Sequence, residues 1–368
     1  MSKVFVTKPS LPPLDEFIPY LEKIWENKIL TNNGEFHQLL ELELARFLGV
    51  KYVSLFANGT LALLSALQTL RIKGEVITTP FTFVATTHSL HWNNIKPVFC
   101  DIKVVDGNID ETKIEKLITP QTTAIMPVHV YGHPCNMEEI QRIADVYGLK
   151  VIYDAAHAFN VKINDTSILN YGDLSVLSFH ATKIFNTFEG GAIICHDEKT
   201  KIRIDYLKNF GFQNETTVIT HGINAKMNEI QASMGVLQLK FIESYINKSE
   251  QIYRYYVEQI QTIEGISLFK HNPEVTYNYS YFPILIEEDY GISRDELYEK
   301  FKLENIYVRR YFYPLVTEFS PYKDPANDFK IPVANSVANK ILCLPIYPFL
   351  EKEIQENIVE LLKLKNVK

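Results

Sequence analysis

Residues 174–183 read Leu174-Ser-Val-Leu-Ser-Phe-His-Ala-Thr-Lys183, an apolar, strand-like run that closes on a lysine. A shorter apolar run upstream, Val151-Ile-Tyr-Asp154, closes on an aspartate. A lysine at the end of a buried segment can be desolvated enough to lose its proton, and the neutral amine can form a Schiff base with an aldehyde cofactor. A neighbouring aspartate can keep a pyridine nitrogen protonated, so that the ring withdraws the electrons left behind when a proton leaves a substrate carbon. The pair therefore points to pyridoxal phosphate. The plainer alternative is a solvated strand-end lysine and an aspartate that caps a turn. The surroundings favour the first reading. Beyond Lys183 the chain runs through Glu189-Gly-Gly191 into Ala-Ile-Ile-Cys195, two glycines that permit a close turn followed by an apolar strand. Before Asp154 lies a helix-like segment over 136–147, with Gly148 as its C-cap.

Working outward, 52–56, 75–79, 97–102, 123–130, 150–154, 174–179 and 192–195 read as short strands, several with helical patterns between them. That alternation predicts an α/β fold with a mostly parallel sheet covered by helices. From Ala225 a helical pattern continues through Met234, Leu237 and Phe241 toward Tyr256, long enough to join two lobes. The second lobe contains a strand over 279–286, a helix over 294–303 and an amphipathic terminal helix from Glu351. We expect a large cofactor domain over 1–240, including an N-terminal arm, and a smaller α+β domain over 241–368. A chain of 368 residues with 46% hydrophobic content can supply cores for both.

The formal charge of −7 gives no electrostatic reason to expect a nucleic-acid partner, although it leaves room for a local basic site for a nucleotide diphosphate. Cys100, Cys135, Cys195 and Cys343 have no short paired spacing, which argues against a zinc knuckle or a redox pair and leaves buried or idle thiols. No apolar run is long enough to cross a bilayer and the N-terminus has no cleavable apolar stretch, so the expectation is a cytoplasmic enzyme without a membrane partner. A nicotinamide-linked oxidoreductase would need a Gly-x-Gly-x-x-Gly turn after a strand, and the chain has none.

Asp154-Ala-Ala-His157-Ala, Ser178-Phe-His-Ala-Thr-Lys183, Glu189-Gly-Gly191 and Gly222-Ile-Asn224-Ala-Lys-Met227-Asn-Glu229 resemble, in order, the successive motifs of the DegT/DnrJ/EryC1/StrS sugar aminotransferases. The run from Phe179 to Gly191 resembles in particular the viosamine-forming branch. The resemblance implies a fold-type I, pyridoxal 5'-phosphate-dependent aminotransferase that works as a homodimer with shared active sites and needs no metal. It further implies transfer of an amino group from L-glutamate to C4 of dTDP-4-keto-6-deoxy-D-glucose, as a step of O-antigen or lipopolysaccharide biosynthesis. C3 amination of a dTDP-3-keto-6-deoxyhexose stands as the alternative, because the sugar's position depends on pocket shape. Relatives that became dehydratases carry histidine at the lysine position, and a noncatalytic relative would be expected to lose the lysine or the aspartate. Lys183 and Asp154 argue against both.

The same resemblance assigns roles by position. Lys183 is the anchor and, when freed, the acid/base; Asp154 keeps the electron sink charged. Gly59 and Thr60, at the start of a helical run over 61–70, would place amides at the cofactor phosphate, with Asn58 where the family usually has serine. Helix capping is the competing reading for Asn58 and Thr60. Ser178 would donate to the phosphate, and Asn224 would reach the phosphate of the neighbouring subunit; read without the family, Asn224 is a helix cap. Phe83 would lie against the cofactor face, with core packing as the alternative, and His157 would donate to the phenolic oxygen or remain a satisfied core histidine. Thr31, Asn33, Tyr131, Tyr311 and Tyr313 fall where the family has sugar-facing loops, and Arg309 and Arg310 could contact diphosphate, although one of the two could as well be a surface arginine. Related enzymes commonly have a histidine near 311–316, and here none occurs between Tyr311 and Phe319.

Overall fold

Seven short runs rich in Val, Ile and Leu build the central sheet of the computed structural model, which describes residues 3–323 and 330–364. They are β1 Tyr52–Phe56, β2 Glu75–Thr78, β3 Lys96–Phe99, β4 Thr122–Met126, β5 Lys150–Asp154, β6 Leu174–Ser178 and β7 Gly191–Cys195. Their spatial order is β1-β7-β6-β5-β4-β2-β3. All pairings are parallel except those of β7, which runs antiparallel to β1 and β6. Near-continuous apolar runs suit strands covered on both faces. Two apolar clusters sandwich this sheet, one containing Leu55, Ile77, Ile125, Val151 and Leu177, the other Phe56, Val76, Ala124, Ile152 and Val176. Alternate residues of the same strands thus feed opposite cores.

The helices relevant to the site are α1 Leu14–Asn27, α2 Glu35–Leu48, α3 Gly59–Thr69, α4 Val84–Trp92, α5 Glu229–Leu239 and α6 Ile242–Ile260. The expected continuous helix from Ala225 to Tyr256 is two helices. Ala225 cannot begin one because its backbone is already engaged: its amide donates to the Lys208 carbonyl at 3.0 Å and its carbonyl accepts from Ala57 at 2.8 Å. Helix α5 starts instead after Asn228, whose side chain accepts from the Gln231 amide at 2.9 Å while the Gln231 side chain bonds back. Asn224 is accordingly not the cap. At Lys240 and Phe241 the backbone tightens into three-residue bonds to Leu237 and Gln238 before α6 departs. Smaller differences lie at strand ends. The fourth strand stops at Met126 rather than near Val130, where the chain turns through Tyr131 at φ 55°.

Beyond α6, the strands β8 Ile266–Leu268, β9 Phe282–Ile286 and β10 Ile341–Leu344 form a separate antiparallel sheet in that order. A separate core of Tyr256, Phe282, Leu297, Phe301, Leu344 and Leu362 packs against it. The N-terminal strand Val4–Phe5 crosses to pair with Ile306–Tyr307 of this lobe.

One buried carboxylate ties distant segments of the large lobe together. Glu229, 2% exposed, accepts from the amides of Phe36 at 2.8 Å and His37 at 3.0 Å, and so caps α2 from across the fold. Gly34 must be glycine for this, since a Cβ there would lie 2.5 Å from the Glu229 carboxyl carbon. Each buried donor left unmet costs about 1–3 kcal/mol. Glu229→Ala should therefore lower stability by roughly 2–4 kcal/mol, read as a lower midpoint in urea unfolding.

Candidate active site

The C-terminal ends of β1, β2, β4, β5 and β6 open onto a cavity of about 660 Å³, where open parallel sheets usually place their ligands. Asp154, the last residue of β5, points its carboxylate into this space from a buried position. Thr86 of α4 donates to its Oδ2 at 2.7 Å and the Ala156 amide to its Oδ1 at 3.1 Å, while Thr82 bonds Thr86 at 2.9 Å. Burial nonetheless holds the acid above its ordinary pKa, against the pull of these donors and of Lys183. A cation placed against the carboxylate would supply the charge compensation that burial withholds.

Lys183 lies beyond the end of β6, in the turn that leads to β7. Its amine donates to the Tyr281 hydroxyl at 3.1 Å. Burial pushes its pKa down to about 8, partly opposed by Asp154 and Tyr311. In cofactor-free protein, its modification by an amine-selective acylating reagent should therefore rise with a midpoint near pH 8, well below the ordinary lysine value of about 10.4. A midpoint in the ordinary lysine range would contradict the burial argument.

His157 accepts the Tyr131 amide on Nδ1 at 3.1 Å, so the neutral ring carries its proton on Nε2. Burial, with a further contribution from Lys183, keeps its pKa well below the usual range and the ring neutral. Phe312 lies nearly parallel to it, with ring centroids 5.9 Å apart. The chain thus presents a neutral N–H donor on the same cavity as the lysine and the aspartate.

At the other end of the cavity, Asn58 caps α3 by accepting from Leu61 at 2.9 Å. Its side chain is thereby used as a cap, while the first-turn amides of Gly59 and Thr60 remain available for an anion. Gly59 faces Ser178 closely: a Cβ at position 59 would sit 3.1 Å from the Ser178 Cβ and 3.3 Å from its Oγ. Phe83 is 59% exposed and lines the cavity, whereas Phe81 is fully buried, so core packing falls to Phe81.

The two arginines separate cleanly. Arg310 forms an ion pair with Asp295 at 2.7 Å and lies over the Tyr298 ring. Arg309 lines the cavity, 5.2 Å from the Tyr311 ring, and has no ion pair among the described residues. Tyr311 also lines the cavity. Tyr131 does not: it is buried behind His157, its hydroxyl donating to the Tyr311 carbonyl. Tyr313 lies under Arg294 at 4.4 Å, outside the lining. Thr31 and Asn33 are exposed on the loop before α2, and Asn224 is exposed in a backbone bridge with Asn209; none of these three lines the cavity of the single chain.

Sequence reasoning missed Tyr281, Thr86 and the His180–Glu189 pair, 3.5 Å apart, all at this cavity or touching its buried groups. Thr86 lies in the first turn of α4, just beyond the aromatic segment, and nothing in its spacing marks it as a partner of Asp154. Nothing local marks Tyr281.

Pyridoxal phosphate is complementary to this arrangement at each end: an anion for the α3 amides, a ring nitrogen for a buried carboxylate, an aldehyde for an amine of depressed pKa. The closeness of Gly59 to Ser178 leaves a cradle that a side chain would fill. Fold and site together define a fold-type I, pyridoxal-phosphate-dependent aminotransferase. The chain belongs to the DegT/DnrJ/EryC1/StrS aminotransferase family, whose model matches residues 14–363. It is 54% identical over 362 residues to a dTDP-4-amino-4,6-dideoxy-D-glucose transaminase of Escherichia coli, covering 97% of each chain. It is 52% identical over 360 residues to a Shigella dysenteriae transaminase of the same name, covering 98% of each. Among solved structures, DesI in the presence of its TDP-sugar product superposes with a TM-score of 0.94 at 31% identity, over 99% of this chain and 93% of that one.

Proposed function

We propose that this enzyme transfers the amino group of L-glutamate to C4 of dTDP-4-keto-6-deoxy-D-glucose, giving dTDP-4-amino-4,6-dideoxy-D-glucose and 2-oxoglutarate. The observation that carries this reading is identity above one half, over nearly the whole chain, to two transaminases named for that product. The buried lysine, carboxylate and histidine on one cavity supply the chemistry such a transfer needs.

When bound, pyridoxal phosphate would supply the electron sink and serve as the amino-group carrier. In this reading the chain's own residues divide the remaining work. Lys183 would anchor the cofactor and, as the free amine, would move a proton at the substrate carbon, a task suited to an amine whose pKa burial lowers to about 8. Asp154, fixed by Thr86 and the Ala156 amide, would hold the ring nitrogen protonated. His157 would offer its Nε2–H to the cofactor's phenolic oxygen, Gly59, Thr60 and Ser178 would hold the phosphate, and Phe83 would cover the ring and exclude water.

Arg309 is the cation available for the sugar's diphosphate, with Tyr311 beside it. A charge-assisted hydrogen bond of about 1.5–3 kcal/mol corresponds to roughly 10- to 100-fold in affinity. Arg309→Ala should accordingly raise KM for the nucleotide sugar by roughly that factor while kcat falls less. Arg310→Ala, which breaks the pair with Asp295, should leave that KM near the wild-type value.

Thr31, Asn33 and Asn224 enter the reading through a second copy of the chain. Exposed Phe210, Phe212, Val218, Ile219 and Ile223 surround the Asn224 segment, an apolar surface that a homodimer would cover. The enzyme then works in the cytoplasm on soluble substrates, supplying an aminosugar for O-antigen or lipopolysaccharide. Among the described residues no helix is long and apolar enough to cross a membrane. The proposal is tested by measuring kcat/KM with L-glutamate and either dTDP-4-keto-6-deoxyglucose or a dTDP-3-keto-6-deoxyhexose. A preference of several powers of ten for the 4-keto sugar is expected; a preference for the 3-keto sugar would move the enzyme to C3 amination.

A further inference from the structure

The amine of Lys183 makes one hydrogen bond among the described residues, and its partner belongs to the other lobe: the Tyr281 hydroxyl, 3.1 Å away. Asp154 is near enough to influence the amine electrostatically but forms no ion pair with it. Tyr281 immediately precedes β9 of the small sheet. Its approach is fixed at two levels. Asn278, 1% exposed, donates through Nδ2 to the carbonyls of His157 at 2.8 Å and Phe159 at 3.0 Å, stapling this segment to the loop that follows Asp154. The Ser280 amide and hydroxyl then donate back to the Asn278 Oδ1 at 3.2 and 2.8 Å, closing a tight turn just before Tyr281. The ring itself packs 4.6 Å from the His157 ring and edge-on to Tyr311 at 6.2 Å.

We propose that Tyr281 is a positioning residue for the proton transfer by Lys183: its hydroxyl holds the freed amine at one fixed point beside the reacting carbon, and the Asn278 staple holds the hydroxyl. A freed lysine side chain has several rotatable bonds, and an amine that must move a proton gains from being held near one orientation. Tyr281 suits the task because burial raises its pKa, so the phenol stays neutral while the amine titrates. It can accept from the ammonium and donate to the neutral amine, so one contact serves both states of the base. This inference rests on the aminotransferase reading for the reaction, but its structural half concerns Lys183 alone.

The test is Tyr281→Phe, which keeps the ring and its packing. Two measurements are made: the pH dependence of Lys183 acylation in cofactor-free protein, and steady-state kinetics of the cofactor-loaded enzyme with glutamate and the 4-keto sugar. A hydrogen bond to the charged form is stronger than one to the neutral form, so the Lys183 midpoint should fall by about half a unit to one unit. The kcat should fall by roughly 10- to 100-fold with KM for the sugar within about twofold, because only the proton transfer is affected. Asn278→Ala, which leaves the hydroxyl in place but frees its segment, should lower kcat in the same direction by a smaller factor. A wild-type midpoint together with wild-type kcat in Tyr281→Phe would overturn the proposal. A shifted midpoint in Tyr281→Phe, with a wild-type enzyme that does not turn over the 4-keto sugar, would instead keep the Tyr281 hold on Lys183 and refute the substrate assignment.

Discussion

Lys183→Ala is expected to abolish amino transfer, with kcat falling by at least about 10³-fold. Two functions disappear with one side chain in the proposed mechanism: the covalent anchor and the group that moves the proton. Neither Asp154 nor His157 can substitute, since the carboxylate is bonded by Thr86 and Ala156 and the His157 Nδ1 is taken by the Tyr131 amide. Cofactor should still bind noncovalently, because the α3 amides, Ser178 and Asp154 are untouched. The measurement is 2-oxoglutarate formed from glutamate with the 4-keto sugar as amino acceptor, at saturating cofactor, and more than about one per cent of wild-type turnover would contradict the assignment. Lys183→Arg should be no better, because a guanidinium remains charged throughout the working range.

Asp154→Asn is expected to lower kcat by about 10²- to 10⁴-fold while leaving the fold intact. The carboxamide has the same shape and its oxygen can still accept from Thr86 or Ala156, but it cannot stabilise a protonated ring nitrogen. Stability should move the other way. Burial raises the Asp154 pKa in the folded chain, so the folded state holds its proton more tightly than the unfolded one. Folding stability is therefore lost as pH rises above the unfolded aspartate value of about 3.9. At neutral pH the cofactor-free Asn variant, which has no charge to bury, should unfold at a higher temperature than wild type. A lower melting temperature together with retained activity would show that Asp154 is a structural cap. The combination of higher stability and lost activity is the trade-off expected of a buried functional charge.

Much of the architecture was legible because its determinants are local. The apolar runs 52–56 and 150–154 coincide with strands, Asn136 and Gly148 bound the expected helix, and the Asn58 side chain caps α3. The long helical pattern from Ala225 departs from the structure at its start for a non-local reason. The helical pattern does extend through Ala225, but that residue's amide and carbonyl are occupied by Lys208 and Ala57 from elsewhere in the chain. The site shows the same division. Asp154, His157, Ser178 and Lys183 lie close together in sequence, and the folded sheet gathers them around one cavity. Tyr281 arrives from the other lobe through the Asn278 staple, and no spacing in the sequence relates it to Lys183. Arg309 and Arg310 are indistinguishable as neighbours in the chain; only the position of Asp295 shows which of them is free for a ligand. Tyr311 and Tyr313 diverge in the same way, one toward the cavity and the other under Arg294.

The most direct test of the account supplies ¹⁵N-labelled L-glutamate and dTDP-4-keto-6-deoxyglucose to the cofactor-loaded enzyme and locates the label by NMR. The predicted product carries ¹⁵N on C4 in the equatorial orientation, with large couplings from H4 to both ring neighbours. Nitrogen on C3, an axial C4 amine or no labelled sugar at all would contradict the assigned product, and the last result, with Lys183 still reacting with cofactor, would contradict the assigned substrate.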